Sequence, residues 1–309
     1  MSAEVRRAAQ ILRAGGLVAF PTETVYGLGA DASSEKAVAR LYAVKRRPAD
    51  HPVIVHFSDA EKAFAWARDV PEAANKLAAR FWPGPLTLIL KRSILAKDFV
   101  TGGQDAVGLR VPSHPVAQQL LKEFSGAIAA PSANRFGMVS PTTPAHVRED
   151  LGNDADLVLE GGPSEVGIES TIVDLSLGTA ALLRPGAITR AQIEALVPVT
   201  DQKSSLRHSG GLERHYAPRT PARLVPTHAL DKEISILKDR VAVLAFSRPD
   251  ERVDFWLRMP REPQGYAQRL YAALRELDSA GCESILVEAP PDEAEWAAVR
   301  DRLVRACKA

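Results

Sequence analysis

Four short runs of this chain end on a proline with polar or cationic groups beside it: Phe20-Pro21, Val111-Pro112, Ala130-Pro131 and Arg184-Pro185. Proline has no N–H to give to a β-ladder and holds the preceding residue extended, so a strand stops at each of them. In open α/β sheets, ligands bind just past the carboxyl ends of strands. The four ends are therefore expected to line one concave, basic rim. Such a rim suits a polyanion such as a nucleoside triphosphate, whose phosphates need fixed cations and hydroxyl donors. The fullest of the four is Leu17-Val18-Ala19-Phe20-Pro21-Thr22-Glu23-Thr24-Val25-Tyr26-Gly27-Leu28-Gly29. Here a buried apolar strand stops, two threonines, a carboxylate and a tyrosine follow, and two glycines allow close backbone approach. Alone, the segment reads equally as a ligand floor or as a strand with an ordinary turn after it.

The 309 residues suggest one large domain with a small one, or two comparable ones. With 46% hydrophobic and 25% charged residues, the chain has the apolar mass for a core. A formal net charge of +1 advertises no global attraction to nucleic acid, so any phosphate contact has to come from local clusters. Cys282 and Cys307 are far apart in the chain, which argues against a disulfide framework or zinc site and fits a reducing compartment. The amino terminus lacks the apolar core of a signal peptide and no apolar run is long enough to span a membrane, so a cytoplasmic protein without a membrane partner is expected.

Strand and helix signals alternate through the first two-thirds, with Ser58 and Glu61 spaced as a capping box. Beyond Thr143 the strands Asp156–Leu159, Ser170–Leu175 and Ala180–Leu183 are separated by turns alone, which predicts an antiparallel addition to a twisted mixed sheet. Residues 201–221 turn polar and carry Gly, Ser and Pro, as a linker does. A small β-α-β pattern then resumes. The expected organisation is a catalytic domain over 1–200, a linker or lid over 201–221 and a small α/β domain over 222–309.

No P-loop, nucleophile elbow, H-E-x-x-H or helix-opening G-x-G-x-x-G is present. Nothing nominates a covalent nucleophile or a protein-held metal, so an enzyme of this kind works by positioning substrates and placing charge. Pro48 biases Arg47 towards an extended conformation, which lets Lys45 and Arg47 project the same way; equally, such cations complement a helix C-terminus. Ser132 and Asn134 share one side of an extended loop that Ser140-Pro141 closes, although such residues also serve plain turns. Arg110 faces away from Leu109 and Val111, and an arginine within a strand needs an anion or a route to solvent. His56, at a strand end, either reaches the rim or is a satisfied structural histidine; His51 and His56 lack metal-ligand spacing.

Taken together, these segments resemble the YrdC-like family, and closely its long form. The matching stretches are Phe20 to Leu28, Lys45 to Pro48, Pro52 to His56, Trp82 to Thr87, Gly108 to Pro112, Ala130 to Asn134, Glu169 to Thr171 and Leu183 to Gly186, in family order across most of residues 5–200. The family's K-x-R and S-x-N pairs fall on Lys45, Arg47, Ser132 and Asn134. The long form's S-P-G-M to H-Y-x-P segment is Ser209-Gly210-Gly211-Leu212 to His215-Tyr216-Ala217-Pro218, with Gly210 and Leu212 in place of the proline and methionine. The resemblance implies a YrdC-like twisted mixed β-sheet with flanking helices, plus a small Rossmann-like α/β C-terminal domain. It also implies a nucleotidyltransferase that makes threonylcarbamoyl-AMP and pyrophosphate from L-threonine, bicarbonate and ATP, with Mg2+ entering on the ATP. A downstream tRNA threonylcarbamoyl transferase would use the product beside the anticodon. By resemblance Thr24, His56, Arg110 and Ser170 bind threonine. Lys45 and Arg47 are catalytic and bind ATP, together with His51, Ser132, Asn134, Ser140, Arg184 and Tyr216. Tyr216 would make the linker a lid. The alternative reading is a non-catalytic YrdC-like RNA-binding protein that contacts tRNA through the same concavity.

Overall fold

The structure is a computed structural model and describes residues 2–201, 206–237 and 239–308. The expected linker thus lies partly outside the described residues, at 202–205. The chain divides into two compact units. One holds the chain to Phe136 with Pro141–Glu165 and Glu169–Gly211, and the other holds Gly137–Ser140, Val166–Ile168 and the chain from Leu212.

The first unit carries β1 (Val18–Phe20), β2 (Gly27–Asp31), β3 (Ile54–His56), β4 (Leu86–Lys91) and β5 (Ala106–Arg110). It continues with β6 (Ile128–Ala129), β7 (Leu157–Val158), β8 (Thr171–Asp174), β9 (Ala180–Arg184) and β10 (Val199–Thr200). They form one mixed sheet in the order β10-β9-β8-β4-β5-β3-β6-β2-β1-β7. The segment after Pro21 does not simply turn away. It doubles back as β2, antiparallel to β1, and a Cβ on Gly29 would stand 2.8 Å from Ile128 and 2.9 Å from Phe20, so only glycine fits. The expected antiparallel addition is half present. β9 runs antiparallel to β8, but β8 pairs parallel with β4, and β7 leaves for the far edge to lie parallel with β1. Nor does Ser58 cap its helix. Asp59 does, accepting from Lys62 N at 2.9 Å, while Ser58 Oγ donates to Asp59 at 2.7 Å. A carboxylate is the stronger acceptor at a helix N-terminus, and it also meets the dipole.

Side chains alternate across a strand, and this decides which face of the sheet does what. Val55, Leu88, Leu109 and Val173 point into the main core, beneath helices such as Glu35–Lys45 and Glu72–Phe81, which contribute Val38, Leu41 and Leu77. His56, Arg110, Thr87 and Ile172 stand on the other face. The register makes them successive neighbours: His56 pairs with Arg110, Leu88 with Leu109, and Thr87 with Ile172.

The second unit carries β11 (Ala222–Val225), β12 (Val241–Ala245), β13 (Phe255–Arg258) and β14 (Ser284–Glu288), all parallel, in the order β11-β14-β12-β13. The helix Pro263–Asp278 buries Leu270, Leu274 and Leu277 at helical spacing. It is the small Rossmann-like α/β domain. No helix among the described residues is long and apolar enough to cross a membrane.

Candidate active site

Two clusters of polar groups meet the exit from β1. The first lies on the open face of the sheet. Arg110 closes β5 and donates from Nη2 to Glu23 Oε1 at 2.7 Å, while Glu23 Oε2 accepts from Ser113 N at 3.1 Å. Both side chains of this ion pair are 5% exposed. Arg110 Nε, also buried, meets no acceptor among the described residues. Beside it, His56 is buried, and its Nδ1 meets no partner among the described residues. Burial first, and the Arg110 charge second, press the imidazole pKa down to about 3. The ring is therefore neutral at pH 7. A neutral imidazole carries one N–H and one lone pair, so the ring offers the site a donor or an acceptor. Ser170 Oγ shares a hydrogen bond with Thr87 Oγ1 at 2.8 Å and accepts from Arg184 Nη2 at 3.1 Å. Thr24 is fully buried, with its hydroxyl 2.8 Å from that of Thr22.

The second cluster is built on loops. Lys45 ends its helix fully buried, and its ammonium donates to the carbonyls of Ser132 and Asn134 and, at 3.4 Å, to Asn134 Oδ1. Ser132 Oγ donates to the same Oδ1 at 2.6 Å. The loop is also tied to the opening segment, Ala133 N donating to Tyr26 O at 2.8 Å and Leu28 N to Pro131 O at 2.8 Å. Burial, then the neighbouring Arg47, hold the Lys45 pKa well below its ordinary value. Among the described residues Lys45 is in no ion pair. Arg46 takes a left-handed turn at φ 54°, which redirects Arg47 out of the helix. Arg47 then donates from Nη2 to Pro52 O at 2.7 Å and lies 5.3 Å over the Phe136 ring. His51 meets the same ring edge-on at 5.5 Å, its pKa lowered by burial and then by Arg47.

Arg184 joins the sheet face to the start of the linker. It donates from Nε to Ser170 O at 3.0 Å and from Nη1 to Ser209 O at 2.9 Å. Arg207 fastens the same segment by donating to Asp50 O at 3.0 Å and Gly102 O at 2.8 Å. Residues Leu206–Ser209 line, with Ile54, Thr87 and Ile172, a cavity of about 20 Å³. That is room for one water, far below the hundreds of Å³ of a ligand pocket.

The structure thus brings together Thr24, His56, Arg110, Ser170, Lys45, Arg47, His51, Ser132, Asn134 and Arg184 within one unit. Ser140 and Tyr216 belong to the second unit. There Ser140 is buried, and Tyr216 sits at φ 61° with its ring 5.7 Å from Tyr271 and 5.3 Å from the Arg302 guanidinium. Sequence reasoning gave Glu23 and Thr22 no chemistry and overlooked Phe136. For Glu23 a signal was present, a carboxylate in the same rim as a strand-borne arginine that needed an anion.

Two family profiles match the chain: the Sua5_yciO_yrdC family, described as "Telomere recombination", over residues 10–186, and "Threonylcarbamoyl-AMP synthase, C-terminal domain" over residues 188–307. The chain is 38% identical to the threonylcarbamoyl-AMP synthase of Pyrococcus abyssi, covering 98% of this chain and 94% of the relative. It is also 38% identical to the one from Bacillus subtilis, over 98% and 92%. The crystal structure of P. abyssi Sua5 complexed with L-threonine superposes with a TM-score of 0.92 at 36% identity, covering 98% of this chain and 94% of that one. E. coli YciO shares the fold at a TM-score of 0.52 and 24% identity, over 60% of this chain and 89% of that one. The chain belongs to the Sua5/YciO/YrdC family, in the long form that carries the Sua5 C-terminal domain.

Proposed function

We propose that this chain is an L-threonylcarbamoyladenylate synthase, a nucleotidyltransferase working in the cytoplasm. The observation that carries the reading is the pairing of the two clusters. A buried arginine with a spare donor beside a neutral histidine suits an amino acid, and an uncompensated lysine with an arginine suits a triphosphate. The near full-length identity to threonylcarbamoyl-AMP synthases and the L-threonine complex of a relative support the substrate assignment.

The threonine carboxylate is taken by Arg110, whose fork has a donor to spare after Glu23. Thr24 faces the amino acid's own donors, and His56 and Ser170 complete the wall. The threonine amine adds to bicarbonate carbon with loss of water, giving a carbamate. A carbamate oxygen then attacks the α-phosphorus of ATP, and pyrophosphate leaves with the electron pair of the broken P–O bond. No enzyme nucleophile is required. Lys45, Arg47, His51, Ser132, Asn134 and Arg184 hold the nucleotide. Lys45 and Arg47 place positive charge where the phosphates gain negative charge.

Among the described residues no group of three or more His, Cys, Asp and Glu side chains is placed to hold a metal. Mg2+ would enter as part of the substrate, held largely by ATP phosphates and water. The linker serves as a lid that shields a readily hydrolysed adenylate from water. A tRNA threonylcarbamoyl transferase consumes the product, and direct contact with tRNA is at most weak.

The test is pyrophosphate release from ATP. It is expected to require both threonine and bicarbonate and to yield one adenylate per pyrophosphate; release indifferent to threonine overturns the reading.

A further inference from the structure

Thr22 forms no part of the substrate contacts assigned above, yet its hydroxyl is the most fully used in the site. It donates to Val25 O at 2.6 Å, and a carbonyl can only accept, so that bond consumes its single proton. The same oxygen accepts from Thr24 N at 3.3 Å and from Val25 N at 3.2 Å. It also lies 2.8 Å from Thr24 Oγ1. With the Thr22 proton spent, the only attractive arrangement of that last contact has Thr24 as the donor. The Thr24 proton is thereby committed too. What Thr24 turns outward is oxygen lone pairs, and no other donor among the described residues reaches them.

The turn that fixes this direction is held at both ends. Ser164 Oγ donates to Thr22 O at 3.1 Å, and Tyr26 N donates to Pro141 O at 2.9 Å. Thr22 and Thr24 are 2% and 0% exposed, so water does not compete to reverse the bonds.

We infer that Thr22 is a positioning residue that sets the hydrogen-bond polarity of the amino-acid subsite, forcing Thr24 to act as an acceptor for an N–H or O–H of the bound amino acid. The inference rests on the proposed threonine site. The same hydroxyl also satisfies buried backbone groups of Thr24 and Val25, which is why Thr22→Ser serves as the control that keeps those bonds. It also gives the subsite a defined pattern, a donor at Arg110 Nε against an acceptor at Thr24 Oγ1. That pattern matches an amino acid, whose carboxylate accepts and whose amine and hydroxyl donate. A free Thr24 hydroxyl would match either polarity and lose discrimination.

The experiment is a double-mutant cycle read by calorimetric titration of L-threonine, with an ATP titration as control. Thr22→Val is expected to weaken threonine binding at least tenfold and to leave ATP binding within twofold. Thr22→Ser keeps the hydroxyl and is expected to stay within threefold of wild type. In a Thr24→Val background, Thr22→Val is expected to cost nothing further, because its effect runs through the Thr24 oxygen. An equal loss in both backgrounds, or a parallel loss of ATP binding, overturns the inference. If Thr22→Val does not fold, Thr22→Cys, whose thiol bonds only weakly, runs the same cycle. Failure of the wild-type chain to bind threonine would instead count against the proposed site itself.

Discussion

The two polar clusters of the first unit handle buried charge in opposite ways. On the sheet face, Arg110 is matched by Glu23 in a pair that is 5% exposed on both sides, so the charge of Arg110 is balanced before any ligand arrives. On the loops, Lys45 is surrounded by the oxygens of Ser132 and Asn134, with no carboxylate within ion-pair reach among the described residues, and burial, then Arg47, hold its pKa down. A compensated arginine recognises by geometry, because its charge is spent and only its remaining donors are free. An uncompensated lysine recognises by charge. Zwitterionic threonine needs the first kind of site and a triphosphate needs the second.

The largest expected effect comes from breaking the compensated pair. Arg110→Met strands the Glu23 carboxylate in a dry site, and losing one partner of a buried pair costs about 3–5 kcal/mol of stability. kcat/KM for threonine is expected to fall by about 10³ with the carboxylate contact gone. Arg110→Lys keeps the charge but gives up the fork, and a smaller loss of about 10²-fold is expected. In both variants ATP affinity, read by titration, is expected to change by less than about threefold, since the nucleotide cluster is built on other residues. Equal loss of both affinities would erase the distinction between the clusters.

Next is Lys45→Met, which removes the ammonium and the bonds that pin residues 132–134. Hydrogen bonds to charged groups contribute about 1.5–3 kcal/mol each, so an ATP affinity lower by about 10²-fold is expected, with threonine binding without ATP unchanged. The ATP effect is also expected to shrink at high salt, as a charge-based contact does, while the Arg110 effect is not.

Much of this division was legible in the residues, and what was not has physical reasons. Prolines after Phe20, Val111, Ala130 and Arg184 mark strand ends because the missing N–H is a local property. Arg110 stood out because an arginine flanked by Leu109 and Val111 must find a partner. That the partner is Glu23, 87 residues away in sequence, depends on β5 lying where the β1 exit can reach it, which no local pattern encodes. The strand Gly27–Asp31 was hidden because two of its five residues are glycine, Gly29 being required by the close approach of Phe20 and Ile128 and not by strand preference. β7 was grouped with its sequence neighbours because short turns suggest adjacency, yet its partner is β1, at the opposite edge from β9. The polarity of Thr24 follows from bond directions, which only coordinates supply.

A third prediction concerns acid. His56 stays neutral in the folded chain down to about pH 3, whereas an unfolded histidine binds a proton near 6.5. Below pH 6.5 the unfolded state therefore holds more protons. Its stabilising contribution, complete above that value, drains away as the pH falls and is exhausted near 3. Between pH 7 and 5 the loss is about 2 kcal/mol, from 1.36 kcal/mol per pH unit. Urea unfolding at both pH values is expected to show this loss in wild type, and a difference smaller by about that amount in His56→Gln. Equal pH dependence in the two proteins would mean that His56 titrates normally and is not held neutral in the site.

The smallest effect tests whether the linker's start belongs to the sheet-face cluster or merely passes over it. Arg207 is exposed, touches none of the groups assigned to substrate, and fastens Leu206–Ser209 through Asp50 O and Gly102 O. Ser209 is tied through Arg184 to Ser170, so loosening the segment is expected to reach the threonine subsite. Arg207→Ala deletes two bonds to carbonyls, about 2–3 kcal/mol of closure before solvent takes its share, and an exposed site keeps only a fraction of that. Threonine association is expected to quicken by about threefold to tenfold, and the adenylate to escape or hydrolyse faster by a similar factor. ATP affinity and kcat under saturating substrate are expected to stay near wild type. Rapid-quench measurement of adenylate lifetime separates the possibilities. A lid that opens more easily changes entry and escape together, whereas a passive tether leaves both rates where they were.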